Sequence, residues 1–481
     1  MRDREQSIGA APTPAYLTGL AALRAGFNFV RDPLVEMRRL YEAHGPCVFM
    51  AKALPFPRHP PVVLLNVPLI LTAGAPFNLE VLNNPATWRP VSLMPGGPRN
   101  SAARRLSDGL MRMTGRRHAH YRKLIGAPLR KDRVEAFDAD MVRLAREEVA
   151  RWRVGETLDL WQILYRLTRR LAIGLLFGGD HERGFPIADM IASLLQRKWA
   201  PSVIGFPLDL PITPYGQVVR EAEVLERRIL RWAESKRGRL DSNDLASIVV
   251  NSPDVDGNPT SEATIAGQIP TLFAATAEAC QATLFWALLL LAQHPHVASD
   301  LLDELFEPPQ DDSPSTDTLS NLPRLDAVVK ETMRILPPVP AQIRAAQHET
   351  TIAGYVVPKG ARLVLSAFLT NRLPTLYPAA DSFRPERWST INPTSFEYMV
   401  FSSGPRSCPG FRFGARLLRV ALAAILTRFR VELGSEARID YTVQPTLRPV
   451  GRVPVVLRAQ DGAFAAAPIR GNIRNLVRFP H

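Results

Sequence analysis

The chain has 481 residues, 46% hydrophobic and 22% charged, a balance that excludes a largely disordered protein and admits either several ordinary domains or one large enzyme core. Its 59 basic and 46 acidic residues leave a formal charge of +13, and because the basic residues are dispersed, a solvated surface or an acidic protein partner fits better than a nucleic-acid-binding tail. Three scattered cysteines, Cys47, Cys280 and Cys408, contain no Cys-x-x-Cys, which excludes a disulfide framework and argues against a zinc site, in keeping with a reducing cytoplasm.

Residues 1–20 mix charge, proline and glycine without the continuous apolar core of a signal peptide or membrane anchor. Residues 1–31 read as a weakly structured lead-in, after which Asp32-Pro33 caps a helix predicted to run to about 44. Strand-like runs at 61–65 and 69–71 predict a small β region. The stretch 90–113 is rich in Pro, Gly, Ser and Arg with little periodicity, so a flexible loop able to act as a lid is expected. The next helix opens at 115–122, where His118 and Arg122 are four apart and share a face. Such a basic pair can hold carboxylates or simply face solvent. Two helices are predicted across 133–178, and Trp161, Leu164, Leu167, Leu171 and Leu175 form a core stripe at helical spacing. Two more span 183–240 around a proline-rich break at 201–214.

The segment 261–293 predicts one helix of roughly 50 Å, with Pro270 as a potential kink. Its apolar run at 282–292 falls short of a bilayer span, so a buried helix is expected. At its centre, Ala275-Thr276-Ala277-Glu278-Ala279-Cys280 sets one acid among small residues. Glu278 is either a proton-handling group or a structural acid paired with a cation. A helix at 322–336 carries Glu331 and Arg334 three apart, suited to a forked ion pair, and prolines at 337–340 end it. Arg344 follows in a strand-like stretch, then a hairpin at 351–360 running on into 362–365, then Phe383-Arg384-Pro385-Glu386-Arg387-Trp388.

The stretch 401–410, Phe-Ser-Ser-Gly-Pro-Arg-Ser-Cys-Pro-Gly, sets Cys408 among turn residues ahead of a predicted helix at 411–429. A cysteine binds metal as thiolate, and backbone N–H groups, a helix N-terminus and a nearby cation each lower its pKa. Gly404 and Gly410 allow a tight turn and close approach to a flat cofactor, Arg406 offers a fork for a carboxylate, and Phe401 can cover the sulfur. Strands are expected across 438–459 with a turn near Pro449 reaching the pocket, and 460–481 reads as a basic tail.

The pattern Phe-x-x-Gly-x-Arg-x-Cys-x-Gly resembles the haem-binding loop of the cytochrome P450 family. His-x-x-x-Arg at 118–122, Glu-x-x-Arg at 331–334 and the 383–388 segment are similar to further motifs of that family and occur in its order. The resemblance implies a mainly α, single triangular-prism domain at 32–459 with small β-sheets. It implies haem b on the Cys408 thiolate, with His118, Arg122, Arg344 and Arg406 as carboxylate partners and Phe401 and Gly410 against the cofactor. It makes Glu331, Arg334 and Arg387 a structural network. The implied function is a monooxygenase inserting one atom of O2 into a lipophilic small molecule such as a terpenoid, polyketide or fatty acid. Electrons would come from NAD(P)H through a separate ferredoxin or flavodoxin, and a cytoplasmic monomer without a transmembrane anchor, acting in secondary metabolism, is expected. The apolar wall of the pocket would include Met94, Ala275 and Val339. One departure stands out: Ala279 occupies the family's usual threonine and Thr276 its usual glycine, whereas Glu278 matches the acid. Without that hydroxyl, water, substrate or Thr276 must help deliver protons. Two alternatives follow, a peroxide-driven peroxygenase or haem-thiolate isomerase or dehydratase, and, more remotely, a non-catalytic haem-binding sensor.

Overall fold

The computed structural model describes residues 15–50, 68–91, 96–239, 244–306 and 322–480. The strand expected at 61–65 and Met94 lie outside these residues. The molecule is mostly helical, and its principal sheet has six strands in the order Ala15–Leu17, Cys47–Met50, Leu69–Thr72, Arg362–Ser366, Ala341–Ala346, Trp88–Pro90. Arg344 lies in this sheet opposite Leu363 on one side and Pro90 on the other, so its backbone is held from both edges.

The helix Glu262–Gln293 runs through the core. Ser261 caps it by accepting from the Thr264 N–H, with Glu262 in the first turn where the helix dipole favours an acid. Ile265–Pro270 and Cys280–Leu291 are buried on every side, the signature of a central helix. Pro270 is accommodated within the helix and does not end it. By length and composition this helix could cross a membrane, but 72% of its most apolar window is buried inside the protein. Helix Leu160–Phe177, capped by Asp159 and ended by Gly178 at φ +58°, packs beside it. Leu164, Leu167, Leu171 and Leu175 are buried as the spacing predicts, and Trp161 sets its ring edge-on to Phe285 at 5.8 Å.

Three expectations about segments change. Residues 15–31 are not a weakly structured lead-in: Ala15–Leu17 pairs in parallel with Val48–Met50, and helix Gly19–Arg31 buries Ala22, Ala25, Gly26 and Phe29 on one face. Residues 96–113 are not a free loop. Gly109 lies so close to the long helix that a Cβ there would sit 2.0 Å from Thr271 Oγ1 and 2.4 Å from the Gly267 carbonyl, and the Leu110 N–H donates to Gln268 Oε1 at 3.0 Å. Arg105 adds a fork to both oxygens of Glu226 at 2.6 Å, and buried Lys198 donates to Ser107 Oγ at 2.8 Å. Residues 460–480 are packed and not a trailing tail: Ile469–Arg470 pairs with Ala437–Arg438, and Ile473, Leu476, Val477 and Phe479 are buried. In each case tertiary burial supplied the order that local composition did not signal.

Candidate active site

Cys408 lies between the short turn Gly404–Arg406 and helix Phe411–Leu426. Its N–H donates to the Phe401 carbonyl at 2.7 Å, and the Ser407 N–H to Gly404 O at 3.0 Å, so the loop closes on itself around the sulfur. Gly404 has φ +66°, and a Cβ would come within 2.8 Å of Leu82 O and Asn83 Oδ1, so this turn admits only glycine. Gly410 differs from expectation. Its φ of −94° suits any residue, and a Cβ would meet only Leu129 Cδ1 at 3.8 Å, so the protein's own packing does not demand glycine there. Phe401 is half-buried with its ring 6.2 Å from Phe411.

Burial pushes the Cys408 thiol up, against the depression the sequence suggested, while the Gly410 N–H and the Arg122 guanidinium pull it back down. Desolvation of the anion outweighs those two groups until a metal binds, and a coordinating metal deprotonates a thiol outright.

His118 and Arg122 lie on helix Gly115–Gly126. Arg122 Nη1 donates to Ser407 O at 2.5 Å and Nη2 to Ser407 Oγ at 3.0 Å, so this helix grips the residue before the cysteine. Arg406 donates through Nη2 to the Met113 carbonyl, and its Nε is buried with no partner. Arg344 is buried and donates to Gln342 Oε1 at 2.8 Å, which also accepts from Ser402 Oγ at 3.1 Å. Burial and then Arg406 bring the Arg344 guanidinium down to about 10. Burial, then Arg406 and Arg122, bring His118 down to about 4. Among the described residues no carboxylate pairs with the three guanidinium groups or with His118, whose imidazole is neutral near pH 7. Three guanidinium groups, one buried and two partly withdrawn from water, without counter-charge and one of them with an orphaned N–H, make a cradle for an anion. A flat cofactor carrying carboxylates on its rim and a metal at its centre fits these donors and the sulfur together.

On the other side, the centre of the long helix opens. Ala275 is exposed and Thr276, Glu278 and Ala279 are partly so, between the buried stretches Ile265–Pro270 and Cys280–Leu291, so this stripe faces open space. Cys280, the next residue, is buried, and burial and then Cys408 raise its thiol to about 12, which places the stripe within electrostatic reach of the loop cysteine. Thr276 Oγ1 donates to the Leu272 carbonyl at 2.9 Å, so its hydrogen is committed within the helix. Ala279 offers only its carbonyl, which accepts from Thr283 Oγ1 at 2.9 Å. Glu278 is raised to about 7 by burial, and Arg448 opposes that rise. Arg448 had not been singled out in the sequence. It lies in strand Leu447–Pro449, which pairs with Tyr441–Val443 through a turn at 444–446; the expected turn near Pro449 follows at 450–451, with Gly451 at φ +72°.

Away from this space, Arg334 forks onto Glu331 at 2.9 and 2.8 Å, and Arg387 Nε, the Arg384 N–H and Trp388 Nε1 donate to the same carboxylate at 3.0, 3.0 and 3.1 Å. Glu331 and Arg334 have no exposed side-chain surface.

The chain matches the family model described as cytochrome P450 over residues 96–450. It is 26% identical to a cytokinin hydroxylase of Arabidopsis thaliana over 373 residues, covering 74% of this chain and 72% of that protein. It is 25% identical to a pentalenene oxygenase of Streptomyces avermitilis over 367 residues, covering 73% and 80%. Among solved structures, a retinoic-acid-bound cyanobacterial CYP120A1 superposes with a TM-score of 0.76 at 21% identity, covering 94% of this chain and all of that one. That last similarity speaks to the fold.

Proposed function

Because the chain belongs to the cytochrome P450 family, whose members carry haem on a cysteine thiolate, we propose that it is a haem-thiolate monooxygenase inserting one oxygen atom from O2 into a lipophilic small molecule. The observation that carries this reading is Cys408 in its closed loop beside Arg122, Arg344 and Arg406, which have no carboxylate partner among the described residues. Cys408 would ligate the iron, His118, Arg122, Arg344 and Arg406 would hold the haem carboxylates, Phe401 would shield the sulfur, and Gly410 would let the loop approach the ring. When bound, the haem supplies dioxygen activation, to which its thiolate ligand contributes electron density.

The chain's own contribution on the pocket side is positioning and proton control. Glu278 changes charge near neutral pH, so it can hold a proton and release it to an ordered water in the open stripe. Thr276 can accept a hydrogen bond there but must break its bond to Leu272 O to donate one. Ala275 and Ala279 present only methyl groups to the open space, which suits a hydrocarbon there. Electrons would come from NAD(P)H through an acidic ferredoxin or flavodoxin, for which the charge of +13 is suited, in the cytoplasm.

Ala279 favours a second reading, in which peroxide supplies the oxygen or the haem-thiolate site catalyses an isomerisation or dehydration, because none of these needs stepwise proton delivery to O2. Paired assays with reductant plus O2 and with hydrogen peroxide separate the readings by product. Product with reductant and a carrier is expected. Turnover only with peroxide would replace the first reading with the second, and no product under any oxidant would overturn both oxygenating readings.

A further inference from the structure

Gln342 and Arg344 are two apart in strand Ala341–Ala346 and so project from one face of the principal sheet. A guanidinium only donates, so the oxygen end of the Gln342 amide must meet it, and Gln342 Oε1 accepts from Arg344 Nη2 at 2.8 Å. The same oxygen accepts from Ser402 Oγ at 3.1 Å, 60 residues further along the chain and inside the cysteine loop. One amide oxygen therefore joins a cation of the cradle to the loop that carries Cys408.

Both of its partners need holding. Ser402 has φ +56° and ψ −174°, a region that favours glycine and strains any side chain. Its backbone follows the Phe401 carbonyl, which accepts from the Cys408 N–H at 2.7 Å, so the conformation at Ser402 aims the acceptor that closes the loop. Glycine would take this conformation freely, whereas serine takes it with its hydroxyl bonded to Gln342. Arg344 is buried and has no carboxylate partner among the described residues. Apart from Gln342, its guanidinium donates only to the neighbouring Ile343 carbonyl, at 3.2 Å. An amide is neutral, so it orients the guanidinium without cancelling the charge that an incoming carboxylate would meet. A glutamate at 342 would cancel it.

Resting on the haem-thiolate reading, we propose that Gln342 is a positioning residue of the cofactor site, coupling the Arg344 fork to the Ser402 backbone so that the carboxylate-holding and metal-holding sides keep one fixed spacing.

The test follows haem in the loaded protein, without turnover. Transfer to an excess of a haem-free globin gives the rate of haem loss, and a potentiometric titration gives the ferric–ferrous equilibrium. Gln342→Leu is expected to speed haem loss about tenfold. A displaced Arg344 favours the reduced iron less, so the equilibrium should also move about threefold toward ferric. Ser402→Ala keeps the strained backbone without its bond and should speed loss about threefold, whereas Ser402→Gly needs no bond and should stay within about twofold of the parent. In the Ser402→Gly background Gln342→Leu should act more weakly, because only Arg344 then depends on the amide. The two Ser402 variants carry the test if Gln342→Leu folds poorly. Unchanged haem loss in Gln342→Leu, faster loss with an unchanged potential, equal loss from Ser402→Ala and Ser402→Gly, or an undiminished effect in the Ser402→Gly background would each overturn the proposal. Failure of the haem-thiolate reading is distinguishable from these, because the parent protein would then take up no haem or would give a ferrous–CO spectrum without the thiolate signature.

Discussion

Arg122 grips Ser407 at two points, the carbonyl at 2.5 Å and Oγ at 3.0 Å, and so ties helix Gly115–Gly126 to the peptide immediately before Cys408. The same guanidinium pulls the thiol down against its burial. Arg122→Met removes both effects. Loss of a charged hydrogen-bond pair costs about 1.5–3 kcal/mol, so the haem-to-protein ratio after purification should fall about tenfold. Arg122→Lys keeps the charge but not the fork and should lie between. An unchanged ratio in Arg122→Met would remove this residue from the cofactor site.

Glu278 gives the protein a pH dependence with a definite sign. Its folded pKa is about 7, above the usual 4.5. Between those values the folded chain keeps a proton that the unfolded chain has released, so stability falls as pH rises across that window and stays lower above it. Glu278→Gln should remove up to about 3 kcal/mol of this slope. Chemical denaturation at pH 4.5 and pH 8 measures it, and a slope unchanged by the substitution would mean that Glu278 ionises normally.

Glu331 satisfies two buried guanidinium groups at once, those of Arg334 and Arg387. Glu331→Ala leaves both without a counter-charge in the core. Breaking a buried pair costs about 3–5 kcal/mol, so little folded protein is expected, whereas Arg387→Lys should fold with a lowered Tm. Normal yield and Tm in Glu331→Ala would contradict a structural role.

Gly109 and Gly126 make a matched pair. A Cβ at Gly109 would overlap Thr271 Oγ1 at 2.0 Å and Gly267 O at 2.4 Å, whereas one at the helical Gly126 meets nothing within 4 Å. Gly109→Ala should destabilise by about 1–3 kcal/mol, and Gly126→Ala should stabilise by about 0.5–1 kcal/mol. Thermal melts of the two variants should move in opposite directions.

Local chemistry is written in short stretches of the chain, and there the sequence is informative. The cap at Asp32, the helical stripe from Leu164 to Leu175 and the long apolar helix follow from spacing and capping, because those signals act over a few residues. The cysteine loop with its neighbouring turn residues is of the same kind, and so is the matched spacing of Glu331 and Arg334.

Tertiary structure alone decided what depends on distant partners. Burial reversed the expected pKa direction at Cys408, although the groups that lower it were visible around it in the sequence. Residues 15–31 and 460–480 owe their order to faces they bury elsewhere. Arg448 acts on the charge of Glu278 from about 170 residues along the chain, a separation at which neither periodicity nor motif gives a signal. The chain's own sequence determined that Cys408 would lie in a tight turn ahead of a helix. Only folding determined which distant charge acts on the acid of the long helix, because desolvation and long-range proximity are properties of the packed molecule.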